Sequence, residues 1–106
     1  MLAASSEYQV IYSGQIKAKL KDLLNQAKKA GKLSRFVAAA MKMDERLRSD
    51  PLNFGELIGN LRWKKMPLHV GFARPLKVDF AILEAERMVF VRKIETVTSL
   101  DAPRGP

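Results

Sequence analysis

The spacing of apolar residues changes once along this chain, and the change restricts the folds that the chain can adopt. Between residues 14 and 48, apolar side chains recur every three or four positions, as they do on one face of a helix. Between residues 68 and 94, they alternate with polar or small side chains, as they do in half-buried strands. The pattern therefore predicts an α+β domain in which two helices precede a sheet.

A short strand and a first helix are predicted before Gly31. Alternating aromatic and β-branched side chains from Tyr8 to Tyr12 are typical of a strand. Ser13 follows, and its hydroxyl can accept a hydrogen bond from the free amides of a first helical turn. Gly31 favours the left-handed conformation in which many helices end, so the first helix should lie between Ser13 and Gly31.

The second helix is predicted to begin near Leu33 or Ser34. Because proline disfavours the α conformation in the residue before it, the Asp50-Pro51 pair should stop this helix by about Arg48. Only a few residues separate the two helices, so they should form an antiparallel hairpin with a shared apolar side. The residues expected along the stripe of the second helix are Leu33, Phe36, Val37, Ala40, Met41, Asp44 and Leu47.

Three more strands are predicted at residues 68–72, 77–82 and 88–94. A turn at Arg74-Pro75 should join the first two of them. The segment between them and the helices, residues 53–66, is expected to be a loop with one helical turn, because glycines interrupt its helical spacing.

The last two strands should form a hairpin whose loop is Ala85-Glu86, although a three-residue loop would shift the pairing. Two of the pairs in this register bring opposite charges together, which favours it. The two-residue loop pairs Glu84 with Arg87, Ile82 with Val89, Phe80 with Val91 and Asp79 with Arg92.

The length of 106 residues favours a single core, since domains commonly contain roughly 50 to 200 residues. The domain is predicted to span residues 8–97, between a flexible N-terminus at 1–7 and a flexible tail at 98–106. The chain has no cysteine, which excludes disulfides and thiolate zinc sites. Residues 1–6 do not resemble a secretory signal, and no stretch approaches the roughly 20 apolar residues of a membrane span, so a cytoplasmic protein is expected.

The charge of the chain is strongly positive, with 19 Lys and Arg against 11 Asp and Glu, a net charge of +8. Such a field attracts an acidic partner, which is a nucleic acid or an acidic protein, although charge can also serve solubility alone. Lysines on the first helix are typical of a solvated helix face.

Cations in the loop and on the strands need another explanation, and Trp63 lies among them as a candidate stacking residue. Trp63 can alternatively anchor the loop in the fold. The residues predicted to bind nucleic acid are Arg62, Trp63, Lys64, Lys65, Arg74 and Arg87.

Enzyme signatures are absent from the sequence: it has no P-loop, dinucleotide fingerprint, metal-ligand spacing or nucleophile elbow. No cofactor and no metal site are expected. His69 is the only histidine, and its ordinary pKa near 6.5 suits an acid or base. The alternative is that His69 is a solvated residue on a strand.

Four segments together resemble the RelE/ParE toxin superfamily, whose members are the toxins of type II toxin–antitoxin systems. The resemblance covers most of the chain. It implies an N-terminal strand and a two-helix hairpin packed on an antiparallel sheet of about four strands. It also implies an antitoxin partner, and a target that is RNA on the ribosome for RelE-like members or DNA gyrase for ParE-like members. The segments are YQVIYS at 8–13, DPLNFGEL at 50–57, PLHVGFARPLKVDFAI at 67–82 and ERMVFVRKI at 86–94.

For an RNA-cleaving member, the resemblance implies that His69 is the acid or base, while Lys77, Arg92 and Arg74 hold phosphate and stabilise developing charge. Such an enzyme would be a metal-independent endoribonuclease. The chain departs from the family pattern at Gly71, where a second cation is expected, and after the last strand, where no aromatic residue or histidine follows. The alternative is therefore a non-catalytic toxin or interaction protein of the same fold, such as a gyrase inhibitor.

Overall fold

The computed structural model describes residues 7–61 and 66–97. Two long helices pack on one face of a five-stranded sheet, with strand order β1-β5-β4-β3-β2. Strand β1 runs parallel to β5, and the other neighbours are antiparallel. The predicted flexible ends lie outside the described residues, apart from Glu7. In chain order the elements are β1 (Gln9–Ile11), α1 (Gly14–Lys29), α2 (Leu33–Ser49), α3 (Pro51–Phe54), β2 (Gly55–Leu61), β3 (Met66–Ala73), β4 (Leu76–Leu83) and β5 (Met88–Thr96).

The predicted α+β class is confirmed, and the ends of the first helix follow the predicted chemistry. The Ser13 hydroxyl accepts a hydrogen bond of 3.2 Å from the amide of Ile16, and Gly31 has a φ of 73° beyond the last turn. Helix α2 extends one residue past the expected end, to Ser49. In residues 7–61 and 66–97, no helix is long and apolar enough to cross a membrane.

The prediction for residues 53–66 is wrong in part, because β2 occupies Gly55–Leu61. A single turn of helix, α3, does precede it. Strand β2 lies at the edge of the sheet and satisfies backbone groups by pairing with β3, with Gly55 opposite Gly71. Pairing with the next strand along the chain outweighs the local helical spacing of the apolar residues. The sheet therefore has five strands and mixed direction, where an antiparallel sheet of about four was expected.

The buried side of α2 is narrower than the predicted stripe. Helix α1 and the sheet cover Phe36, Ala39, Met43 and Leu47. Neither reaches the other edge of the stripe. The exposed fractions there are 38% for Leu33, 39% for Val37 and 67% for Met41.

The hairpin of β4 and β5 has the predicted pairs of Ile82 with Val89 and Phe80 with Val91. The predicted pair of Asp79 with Arg92 is wrong, because an irregularity between Asp79 and Phe80 places Lys93 opposite Asp79. Opposite charges still meet across the strands.

The predicted two-residue loop is also wrong, and with it the cross-strand pairing of Glu84 with Arg87. The connection contains a 3₁₀ turn at Glu84–Glu86, followed by Arg87 in a left-handed conformation with a φ of 54°. The amide of Arg87 donates a hydrogen bond of 3.1 Å to the carbonyl of Glu84. The turn therefore closes on its own backbone.

The centre of the core is Phe80, whose side chain is fully buried between the sheet and α3. Its ring stacks on Phe54 at 5.9 Å between centroids and on His69 at 5.6 Å. Gly55 lies against the same ring, and a Cβ atom there would be 2.7 Å from Phe80 Cζ and 2.9 Å from the carbonyl oxygen of Val70. This close approach requires a residue without a side chain.

Gly55→Ala is expected to lower the free energy of unfolding by about 1 to 3 kcal/mol, because the added methyl group overpacks against the Phe80 ring and a backbone carbonyl. Gly59→Ala is the matched control on the same strand, since a Cβ atom there meets nothing within 4 Å. It should change stability by less than about 1 kcal/mol. Urea unfolding followed by circular dichroism measures both, and equal effects would contradict the assigned packing.

Candidate functional site

His69 lies on the face of the sheet that the helices cover. It is directly opposite Phe80 in the β3–β4 ladder, and residues directly opposite each other share a face. The residue is 6% exposed, and its Nδ1 atom has no hydrogen-bond partner among the described residues. Burial lowers the pKa of His69, and the backbone of Pro67 acts in the opposite direction. The interpretation of His69 as a solvated residue is therefore wrong.

Lys77 lies on the opposite face. It pairs with Phe72, three residues along β3 from His69, and side chains alternate between the faces of a strand. Its Nζ atom is 3.1 Å from Glu95 Oε2 on β5. This hydrogen bond is the main cause of the lowered pKa of Glu95, and the charges of Lys93 and Lys19 act in the same direction. The only histidine and the predicted phosphate-binding lysine are thus separated by the thickness of the sheet, and the lysine is paired with an acid.

Arg92 lies in β5 at the irregularity opposite Asp79, and its side chain is exposed. Its neighbour Lys93 is opposite Asp79, so acidic and basic residues alternate across this part of the sheet. Lys77 and Arg92 are on neighbouring strands, but the acids between them reduce the positive potential that either one creates.

The two predicted arginines outside the strands lie far apart. Arg74 is in the turn before β4, with its guanidinium 5.8 Å from the centre of the Phe72 ring. Arg87 is in the connection after β4, with its guanidinium 5.2 Å from the centre of the Tyr8 ring. The eight residues of β4 separate these ends by roughly 25 Å. The four remaining predicted binding residues, Arg62, Trp63, Lys64 and Lys65, lie outside the described residues.

A groove between α1 and α2 is an open apolar feature of the described surface. It has a volume of about 540 Å³, and Tyr12 from the end of β1 closes one side. Its floor is the part of the helical hairpin that the sheet does not cover. The helix residues that line it include Leu20, Leu24, Val37, Ala40 and Met41.

A hydrogen-bonded network fixes one end of this groove. The Tyr12 hydroxyl donates to Asp44 Oδ1 at 2.6 Å, and Arg48 Nε donates to Asp44 Oδ2 at 2.8 Å. Burial and the Asp44 carboxylate raise the pKa of Tyr12 above its ordinary value. The tyrosine is protonated at neutral pH. Its hydrogen bond to Asp44 connects the end of β1 to α2.

Lysines lie along α1 outside the groove, whose own charged lining residues are Asp44, Glu45 and Arg48 on α2. Lys17, Lys21 and Lys28 are exposed and lie at helical spacing on the line of Leu24, which lines the groove. Within the described residues, none of these lysines forms an ion pair. The groove therefore has lysines beside its α1 wall and acidic residues on its α2 wall, which fits an amphipathic helix whose acidic edge faces α1.

No family model, curated protein or solved structure matches the chain. The resemblance to the RelE/ParE superfamily stays a prediction, as do the roles of the predicted site residues. The groove was not predicted, because Val37 and Met41 were expected to be buried. One signal for it was present in the sequence: the apolar stripe of α2 is wider than one packed neighbour requires.

Metal-ligating side chains do not gather in residues 7–61 and 66–97. No group of three or more His, Asp or Glu residues there could hold an ion.

His69→Phe is expected to make stability less sensitive to acid. The unfolded chain binds a proton at His69 near pH 6.5, whereas burial lowers the pKa of His69 in the folded state. Stability of the natural chain should therefore fall as the pH drops below about 6.5, because protons favour the unfolded state. Phenylalanine keeps the stacking on Phe80 and removes the titrating group.

The measurement is urea unfolding of both proteins between about pH 7.5 and pH 5, with the difference in unfolding free energy plotted against pH. This difference should move in favour of the variant as the pH falls. A difference that is independent of pH would contradict a buried, neutral His69.

Proposed function

We propose that the chain is the toxin component of a type II toxin–antitoxin system of RelE/ParE type, and that it acts by binding a protein target rather than by cleaving RNA. The order of elements supports the first part: a strand, a helical hairpin and then strands that are antiparallel to one another. DNA gyrase is the proposed target, as for the ParE-like members that the sequence resembles.

The position of His69 is the observation that carries the second part. An acid or base must lie within hydrogen-bond reach of the proton that it transfers, and the cations that stabilise charge must reach the same phosphate. His69 is buried under the helical side of the sheet, while Lys77 is on the other face and paired with Glu95. Chemistry that needs both groups on one phosphate is therefore disfavoured.

The partner that masks the toxin is proposed to be an acidic antitoxin with an amphipathic helix in the groove between α1 and α2. Apolar side chains of that helix would cover Leu24, Val37 and Met41, which are otherwise open to water. Acidic side chains on its edge would face Lys17, Lys21 and Lys28. The net charge of +8 favours fast association with such a partner.

Inducible expression tests the proposed mode of action. Growth should stop, messenger RNA ends should remain unchanged, and gyrase supercoiling should be blocked in lysate and with purified protein. New transcript ends that disappear in a His69→Ala, Lys77→Ala variant would show RNA cleavage and overturn the proposal.

One variant, compared with the unchanged protein, separates the two mechanisms without loss of the fold. Lys77→Gln changes a half-buried residue on the face of the sheet away from the helices, and it breaks the ion pair with Glu95. A toxin that acts by binding should therefore stay nearly as active. An RNA-cleaving toxin that uses this lysine on phosphate would lose most of its activity. Growth arrest and supercoiling are measured for both proteins at equal expression.

A further inference from the structure

A second cavity lies at the end of the fold where α1 ends and α2 begins. It has a volume of about 640 Å³, and its walls come from the two helix ends, the turn between β3 and β4, and the end of β5. This volume is within the range of roughly 300 to 1,000 Å³ that small-molecule pockets have. Phe36 borders both this cavity and the groove between the helices.

The interior of the cavity is apolar. Leu23 and Phe36, each 4% exposed, form part of its wall together with Ala27, Pro75 and Val97. These residues belong to the core or adjoin it, so the wall is fixed by packing. A hydrocarbon group that enters removes apolar surface from water on both sides.

Three cations line the same cavity: Lys32, Arg35 and Arg74. The lining contains no Asp or Glu. Within the described part of the chain, Lys32 and Arg35 form no ion pair and no side-chain hydrogen bond. The guanidinium of Arg74 lies over the ring of Phe72. Positive charge therefore gathers here without a counter-charge.

The start of α2 increases this positive potential. Lys32 is the N-cap residue, it makes no side-chain capping bond, and the first turn contains no acidic residue. Cations at the N-terminus of a helix are unfavourable, because the helix dipole is positive there. An anion at the mouth of the cavity would relieve this repulsion.

We propose that the cavity binds a small organic anion with an apolar body, such as a carboxylate on a short hydrocarbon chain. The carboxylate lies between Lys32, Arg35 and Arg74, and the hydrocarbon lies against Leu23 and Phe36. The partly enclosed shape and the volume favour a small molecule over a protein segment. The site does not depend on the proposed toxin activity.

Octanoate is the probe, added to the full-length chain labelled with ¹⁵N and followed by NMR. It should shift the amides of Arg35, Phe36 and Val97, which border the cavity. Affinity should fall about fourfold for each methylene removed on passing from octanoate to hexanoate. Octylammonium, with the same chain and the opposite charge, should leave these amides unchanged.

Three variants test the cations and the volume separately. Arg35→Gln should weaken octanoate binding about tenfold, which is a typical effect of losing one charge-assisted hydrogen bond. Lys21→Gln, the matched control, removes one exposed cation of α1 away from the cavity and should have no effect. Ala27→Leu keeps every cation but fills the cavity, and should abolish binding.

Any of four results would overturn the proposal even if one variant folded poorly. Equal weakening by Arg35→Gln and Lys21→Gln, or equal binding of octylammonium, would indicate attraction to the whole protein. Shifts confined to Leu24 and Met41 would place the bound chain in the groove between the helices. Absence of any shift at millimolar octanoate would also reject the site.

Discussion

Phe80→Ala is expected to lower the free energy of unfolding by about 3 to 5 kcal/mol. The side chain is fully buried and stacks on two rings, those of Phe54 and His69. Its removal leaves a cavity that the rigid ladder on either side cannot close. A loss of this size is a large fraction of the unfolding free energy of a typical domain, which is about 5 to 15 kcal/mol.

The control for this variant is Phe72→Ala, the same change on the neighbouring strand. Phe72 is 49% exposed and contacts Arg74 from the open face of the sheet. Its truncation should cost about 1 kcal/mol or less. Urea unfolding at neutral pH measures both variants, and equal losses would contradict the assignment of the two faces.

Met41→Glu is expected to weaken antitoxin binding roughly 100-fold, as hot-spot substitutions do. Met41 is 67% exposed and lines the groove, so the change adds a charge where an apolar contact is proposed and leaves the core untouched. The negative charge would also repel an acidic partner. The folded chain should keep its stability, because no buried atom changes.

Ala38→Glu is the matched control, since Ala38 is an exposed residue of the same helix that does not line the groove. It adds the same charge and should change the affinity by less than about threefold. The binding partner in the measurement is the proposed acidic antitoxin, and binding is followed by calorimetry and by rescue of growth. Equal effects of the two variants would indicate that the helix binds elsewhere.

Local chemistry was enough to predict the ends of the first helix and part of the last hairpin. Ser13 and Gly31 act through their own backbone neighbourhood, and the pair of Ile82 with Val89 follows from strands that are close in sequence. Strand β2 also pairs with its neighbour in sequence, but a register irregularity between Leu57 and Gly59 interrupts the alternation of apolar and polar residues that marks a strand.

The orientation of β3 shows the same limit at the candidate site. Alternation of Leu68, Val70 and Phe72 favoured burial of that side, which would leave His69 in solvent. The buried side instead carries His69 and Gly71, because α3 places the Phe54 ring against the sheet. A Cβ atom at Gly71 would be 2.6 Å from that ring, so a cation expected there from the family pattern has no room.

The parallel pairing of β1 with β5 has a consequence for how the protein is made. Val10 pairs with Val89, so β1 has no neighbouring strand until β5 has been synthesised. Contacts between residues so distant in sequence slow folding. The newly made chain should therefore lack its finished sheet during most of translation, so the helical hairpin has to wait for the surface on which it packs.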